Sequence, residues 1–170
     1  MKIKFSFIFV FLTITFILLI FFKSLFENKN YIPKKTKKIE NISIEEFYSG
    51  ENSKIIELFE NEKYIIINIW SSWCVPCRQE HQFIKNISEI ANLKVIGLNY
   101  KDNFINAKKF LNDMGNPYST ILIDKDGTVA IDWGAYGVPE TFLVYKEKII
   151  KKYIGPLNRE ILREIEEIIK

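Results

Sequence analysis

The 170-residue chain holds only two cysteines, three apart in the segment Cys74-Val75-Pro76-Cys77. Neither has another disulfide partner in the chain. A bridge between them closes too small a loop to add much stability by chain entropy, so the pair reads as a redox couple and not as a staple. It lies between an apolar run and a helical pattern, which places it at a helix N-terminus. Unpaired backbone N–H groups and the positive end of the helix dipole there favour a thiolate, moving a cysteine pKa from about 8.5 into the range of roughly 3.5 to 7.5. Cys74 at the head of the helix is then the nucleophile, open to reagents, and Cys77, one turn further in and buried, is the resolving thiol. Pro76 suits the first helical turn, where its missing N–H is not needed. Trp70 and Trp73 flank the pair on the strand side.

A metal site competes with this reading, because Cys77 and His81 stand at i and i+4 on one helix and Cys74 would supply a third ligand. A fourth ligand is missing: His81 is the only histidine, and Met1 and Met114 are the only methionines. Covalent haem is disfavoured because Arg78 occupies the position where that attachment motif requires His. His81 is expected to be a partly exposed, hydrogen-bonded surface residue. No cofactor is expected beyond the redox-active disulfide itself.

The elements that must position the pair are legible in the hydrophobic pattern. Tyr64 to Trp70 is a continuous apolar run rich in Ile, which suits a central parallel strand covered on both faces. After the cysteines, Phe83, Ile84, Ile87, Ile90 and Ala91 mark one face of a helix ending near Asn92. Val95 to Asn99 reads as a strand. Ala107, Phe110, Leu111 and Met114 outline a helix capped by Asp102 or Asn103 and closed by Gly115. Thr120 to Ile123 reads as strand and Asp126-Gly127 as a turn. Thr141 to Tyr145 and Ile149 to Ile154 read as adjacent antiparallel strands. Asn158 caps a last helix with Ile161, Leu162, Ile165, Ile168 and Ile169 on its apolar face. Upstream, Ser43 to Phe59 is ambiguous: Ser43-Ile44-Glu45-Glu46 has the form of a capping box, Ile55, Ile56, Leu58 and Phe59 fit a helical stripe, and one short helix is expected somewhere in the segment. This order predicts an α/β protein of thioredoxin-like fold, a central mixed sheet flanked by helices.

Residues Phe5 to Phe22 form an 18-residue apolar run broken only by Ser6, Thr13 and Thr15. As a helix it rises about 27 Å, enough to span a bilayer core. No pair of small residues follows it as a cleavage site would require, so it reads as an uncleaved transmembrane anchor. Lysines on both sides of the run leave the charge count ambiguous, and the expected orientation puts the folded domain on the extracytoplasmic side, since long downstream domains translocate largely regardless of charge. The expected organisation is an anchor over 1–26, a Lys-rich linker over 27–38 and one folded domain over 39–170. The overall charge of +3 is misleading, because residues 1–38 hold eight Lys against Glu27 alone, which leaves 16 basic and 20 acidic side chains downstream. A net acidic domain argues against nucleic-acid binding, which needs clustered positive charge on the folded surface.

Four blocks carry a resemblance. Trp73-Cys74-Val75-Pro76-Cys77-Arg78-Gln79-Glu80-His81, Gly97-Leu98-Asn99-Tyr100-Lys101-Asp102, Gly115-Asn116-Pro117-Tyr118 and Tyr136-Gly137-Val138-Pro139-Glu140-Thr141-Phe142, in this order, closely resemble the DsbE (CcmG) family of thiol:disulfide interchange proteins. The resemblance covers most of residues 64 to 157. It implies a protein anchored in the bacterial inner membrane and facing the periplasm, which reduces disulfides of apocytochrome c or of cytochrome c maturation partners with electrons from a transmembrane thiol donor. It also implies that Cys74 and Cys77 are the redox pair, that Pro139 is a cis-proline facing them, and that substrate meets Trp73, Val138, Pro139 and Thr141. Glu140 becomes the acidic residue beside the site. At position 68, where ordinary thioredoxins carry a buried Asp, this chain has Asn68, and an amide cannot shuttle protons. Glu140 is therefore the carboxylate expected to assist. Two alternatives stand beside this reading: a reductase of another exported protein such as a copper-site assembly factor, and a metal-delivering module built on Cys74, Cys77 and His81.

Overall fold

A computed structural model describes residues 2–26, 37–60 and 62–170, with side chains in the first segment from 7 to 23. Helix α1 spans Lys2–Phe26, and strand β1 is Lys37–Lys38. A hairpin of β2 (Ser43–Glu45) and β3 (Asn52–Lys54) leads into a short 3-10 helix, Ile55–Phe59. Then come β4 (Tyr64–Trp70), α2 (Val75–Ser88), β5 (Leu93–Tyr100), α3 (Phe104–Met114), β6 (Thr120–Asp124), α4 (Thr128–Asp132), β7 (Glu140–Tyr145), β8 (Lys148–Ile154) and α5 (Arg159–Ile169).

Six strands form one sheet in the order β1-β8-β7-β4-β5-β6. The β4–β5 and β5–β6 pairs are parallel, whereas β7 joins β4 and β8 antiparallel, so the sheet is mixed as expected. Strand β4 lies at its centre because Ile65, Ile66, Ile67 and Ile69 are all buried and need cover on both faces. Each fully buried Ile contributes about 1.5–3 kcal/mol. On one face, Ile66 and Trp70 pack with Cys74, Cys77, Ile84 and Ile87 of the α2 region, Phe110 of α3 and Ile161 and Ile165 of α5. On the other, Ile65, Ile67 and Ile69 meet Ile55 and Phe59 of the 3-10 helix, Ala130 of α4 and Phe142 of β7.

Three local expectations are corrected. Ser43 does not cap a helix: it starts β2, whose partner β3 satisfies its backbone, and the one short helix expected in the segment is the stripe Ile55–Phe59, as a 3-10 turn. Helix α4 follows Gly127 and was not anticipated, five residues being too few to show a helical period. The expected linker over 27–38 lies outside the described residues except for Lys37 and Lys38, which belong to the sheet as edge strand β1 against Ile149 and Lys148. The helix expected over the N-terminal apolar run is present as α1. Among the described residues no helix is long and apolar enough to cross a membrane, and the run begins at residues whose side chains lie outside that description.

Candidate active site

The chain leaves β4 at Trp70, turns through Ser71–Trp73 and enters α2 with Cys74 as its N-cap. Three successive turn residues are tied to the loop that follows the neighbouring strand β5. The Ser71 hydroxyl donates to the Tyr100 carbonyl, the Ser72 N–H and Oγ donate to the Asp102 carboxylate at 2.5 and 2.7 Å, and Trp73 Nε1 donates to the Lys101 carbonyl at 3.0 Å. Arg78 reaches back from α2 to the Ser72 carbonyl at 3.2 Å. Parallel pairing of β4 with β5 brings these segments together, about 30 residues apart in sequence. Cys74 and Cys77 are joined in a disulfide, and the Cys77 N–H donates to Cys74 Sγ at 3.1 Å. That bond is the helix-terminus stabilisation expected for a thiolate. Both cysteines are only 3% exposed, so burial does not separate the nucleophile from the resolving thiol as expected; the chain position of Cys74 at the cap does.

Beneath the disulfide lies a closed polar network. Asn68 in β4 donates through Nδ2 to Glu80 Oε1 at 2.8 Å and to Thr141 Oγ1 at 3.0 Å, and accepts at Oδ1 from the Tyr118 hydroxyl at 2.8 Å. Glu80 Oε2 accepts the Leu157 N–H at 2.8 Å. Glu80 is 1% exposed, and burial pushes its carboxyl up from an ordinary 4.5 to about 7, against the opposing pull of its two hydrogen bonds. It sits three residues after Cys77, hence on the same side of α2. Burial, with Glu80 nearby, raises Tyr118 well above the ordinary phenol value, so its hydroxyl stays protonated. The sequence reading passed over Glu80, although a signal existed. Counting back from Ile87 and Ile84 along the apolar stripe reaches Glu80 and Cys77, so a carboxylate stood on the buried face of its own helix.

The structure places the other expected site residues as follows. Trp73 is 57% exposed beside the disulfide loop. The Val138–Pro139 peptide bond is cis; Val138 is half-buried and Pro139 buried. Thr141, expected to meet substrate, is fully buried with its hydroxyl on Asn68, and its side chain belongs to the interior network. Glu140, expected beside the cysteines, points the other way. Successive strand residues alternate in face, so Glu140 shares the side of Phe142, whereas Thr141 shares that of Leu143 and the cysteines. Its Oε1 accepts the N–H groups of Tyr136 and Gly137 at 2.7 and 3.1 Å, and its Oε2 pairs with Lys152 Nζ at 2.8 Å. Glu140 thus holds the loop that leads into Pro139. His81 is buried and not at the surface: its Nε2 contacts the Gly115 carbonyl at 2.9 Å, its ring stands edge-on to Phe110, and burial lowers its pKa. Of the three residues proposed as metal ligands, the cysteines bond each other and the imidazole Nε2 is engaged on Gly115.

Residues 34–169 match the Redoxin family. The thiol:disulfide interchange protein CycY of Rhizobium leguminosarum bv. viciae is 44% identical over 103 residues, 60% of this chain and 55% of that protein. DsbE of Escherichia coli (strain K12) is 41% identical over 103 residues, with the same two shares, 60% and 55%. The chain therefore spans little more than half the length of these relatives. A DsbF homologue from Corynebacterium diphtheriae superposes with a TM-score of 0.67 at 20% identity, over 82% of this chain and 90% of that one. The thioredoxin domain of a thiol-disulfide oxidoreductase from Bacteroides vulgatus gives 0.66 at 17%, over 79% and 96%. At such identities the likeness is one of fold, and it is the thioredoxin-like fold read from the element order.

Proposed function

Because the chain belongs to the Redoxin family, we propose that it is a membrane-anchored protein-disulfide reductase acting by thiol:disulfide interchange through Cys74 and Cys77. The observation that carries this reading is the Cys74–Cys77 disulfide at the start of α2 with Glu80 buried one turn behind it. In the reduced protein the Cys74 thiolate attacks one sulfur of a substrate disulfide. A mixed disulfide forms and the first substrate thiolate leaves, taking a proton. Cys77 then gives its proton to Glu80 and attacks Cys74 Sγ, which releases the second substrate thiolate and restores the Cys74–Cys77 bond. Two electrons pass from the protein dithiol to the substrate, and a dithiol donor must return two. Glu80 suits the proton step because its carboxyl changes charge near neutral pH, where such a base is most effective. Glu140 remains a candidate for an indirect role, through the loop that carries Val138 and Pro139 over the site.

Helix α1 is the proposed inner-membrane anchor, with the domain in the periplasm and residues 27–36 as the linker to edge strand β1. In support, the hydroxyls of Thr13 and Thr15, polar groups within the apolar run, donate to the carbonyls of Val10 and Phe11, so the helix satisfies them internally as lipid requires. The proposed substrates are disulfides of apocytochrome c or of its maturation partners, and the donor is a transmembrane dithiol protein; the likeness to CycY and DsbE motivates both. The test is Cys77→Ser in the full chain in cells. Its mixed disulfides, resolved by mass spectrometry, should contain a Cys-x-x-Cys-His haem-attachment protein or a thioredoxin-like carrier. Trapping of neither, with other exported proteins captured in their place, would redirect the substrate assignment, and no trapped species at all would remove the reductase reading.

A further inference from the structure

Asn68 occupies a position in the polar network that its residue type makes reversible. Both Tyr118 and Thr141 meet it through hydroxyls, which donate or accept equally well. Glu80 meets it through Oε1, while Oε2 faces the Leu157 N–H, a group that only donates. A proton arriving on Glu80 must therefore sit on Oε1, since on Oε2 it would oppose the Leu157 hydrogen and find no acceptor among the bonds described. Yet Oε1 faces the Asn68 NH2, which in its present orientation only donates. An O–H and an N–H cannot point at each other without cost between side chains this deeply buried, Asn68 and Glu80 each being 1% exposed.

We infer that the Asn68 side-chain amide turns over when Glu80 takes up a proton, so that Asn68 is a positioning residue which presents a donor to the carboxylate and an acceptor to the carboxylic acid. In the turned arrangement Oδ1 accepts from Glu80 Oε1–H and from the Thr141 hydroxyl, and Nδ2 donates to Tyr118 Oη. Three hydrogen bonds replace three. The turned form leaves one amide N–H and the Tyr118 hydroxyl hydrogen without the partners described for the present orientation, which is why it prevails only when the carboxyl carries its proton. The other groups at the site do not compete for that proton. Tyr118 stays protonated, His81 directs its ring to Gly115, and the cysteines are joined in the disulfide. This deepens the proposed exchange reaction and rests on Glu80 as its proton carrier. Asn68 shuttles no proton, but it stabilises both states of the group that does, and through Thr141 it carries that state to the strand that begins beside Pro139.

The test is nuclear Overhauser contact of the Asn68 NH2 protons in the isotope-labelled full chain, in detergent and in the disulfide form. Spectra are taken about two pH units above and below the Glu80 midpoint near 7, where one charge state dominates. Above the midpoint the NH2 protons should contact the Thr141 methyl and the Glu80 side chain. Below it those contacts should be lost and replaced by contacts to the Tyr118 ring, with the same midpoint as the Glu80 carboxyl carbon. Glu80→Gln, whose amide must offer its oxygen to Leu157 and its NH2 to Asn68, should hold the turned arrangement at every pH. Contacts to Thr141 that persist while the Glu80 carbon titrates overturn this inference and leave the exchange reaction standing. A Glu80 carbon that does not titrate near neutral pH removes Glu80 as proton carrier, and the inference with it.

Discussion

Glu80 and Glu140 are the same residue type, equally sequestered at 1% and 2% exposed, and they lie on opposite faces of one sheet with opposite consequences. Glu80 meets only neutral partners, an amide and a backbone N–H, and its carboxyl holds its proton to about pH 7. Glu140 meets two backbone N–H groups and the ammonium of Lys152, which also donates to the Gly134 carbonyl at 2.6 Å and lies 3.8 Å from the centre of the Tyr136 ring. Burial is common to both, so the partners decide. The buried carboxylate without a cation holds its proton to higher pH, which is what the proposed proton step needs, and the one with a cation ties down a loop.

The largest expected effect tests the clamp. Lys152→Met leaves Glu140 buried without its counter-charge and should destabilise the domain by about 3–5 kcal/mol, whereas adding Glu140→Gln should restore most of the loss. Denaturant titration of the two variants measures both, and a single-variant loss below about 1 kcal/mol, as for an exposed pair, would break the comparison.

Next in size is the pH dependence that Glu80 imposes on stability. Folded Glu80 keeps its proton to about 7 while an unfolded one releases it near 4.5, so between these values the folded chain binds more protons. Stability is therefore full below about 4.5 and falls as pH rises through 7, by about 3 kcal/mol in all. Glu80→Gln should flatten that window and be the more stable protein above pH 7. Thermal unfolding of both proteins across the window gives the sign directly, and parallel curves would mean that Glu80 titrates elsewhere.

The same contrast applies to rate. In stopped-flow exchange with a small disulfide, Glu80→Gln should abolish the limb of the pH profile near 7 and slow the reaction on the order of 10²-fold. Glu140→Gln should keep the limb. A limb that moves with Glu140 instead would return the proton role to the residue next to Pro139.

The smallest effect concerns the exposed edge of the clamp. Tyr136→Ala removes only the ring contact to Lys152, and the expected loss is about 0.5–1 kcal/mol in denaturant titration. A loss several times larger would make the ring, and not the carboxylate, the main partner of Lys152.

Much of this molecule was legible in order along the chain. The spacing of Cys74 and Cys77 at a strand–helix junction pointed to the two residues that the structure joins in a disulfide at the start of α2, and the Ile-rich run of β4 announced a central strand. The period of α3 and α5 marked their buried faces, and that of α2 did so through Ile84 and Ile87, although the helix stops at Ser88, short of Ile90 and the exposed Ala91. Of the two caps offered for α3, Asp102 and Asn103, it is Asn103 that accepts the Ile105 and Asn106 N–H groups, and Asn158 accepts that of Ile161. These features are set by neighbours a few residues away, through periodicity and backbone satisfaction, and so they can be read in one dimension. The hairpin of β2 and β3 was missed because three-residue strands carry too little alternation to show.

The choice between Glu80 and Glu140 belonged to the tertiary structure. Sequence proximity to Pro139 favoured Glu140, but strand alternation turns it to the far face, where β8 supplies Lys152 as cross-strand neighbour of Phe142. Burial raises the Glu80 pKa because its own partners, Asn68 of β4 and the Leu157 N–H before α5, bring no charge, nor do Thr141 of β7 and Tyr118 before β6, which bond Asn68. The sequence alone determined that the chain carries a helix-capped dithiol on an α/β sheet. Which buried carboxylate holds its proton to near-neutral pH depended on the charges that distant segments bring into contact, because a buried carboxylate's proton affinity is set by partners in space.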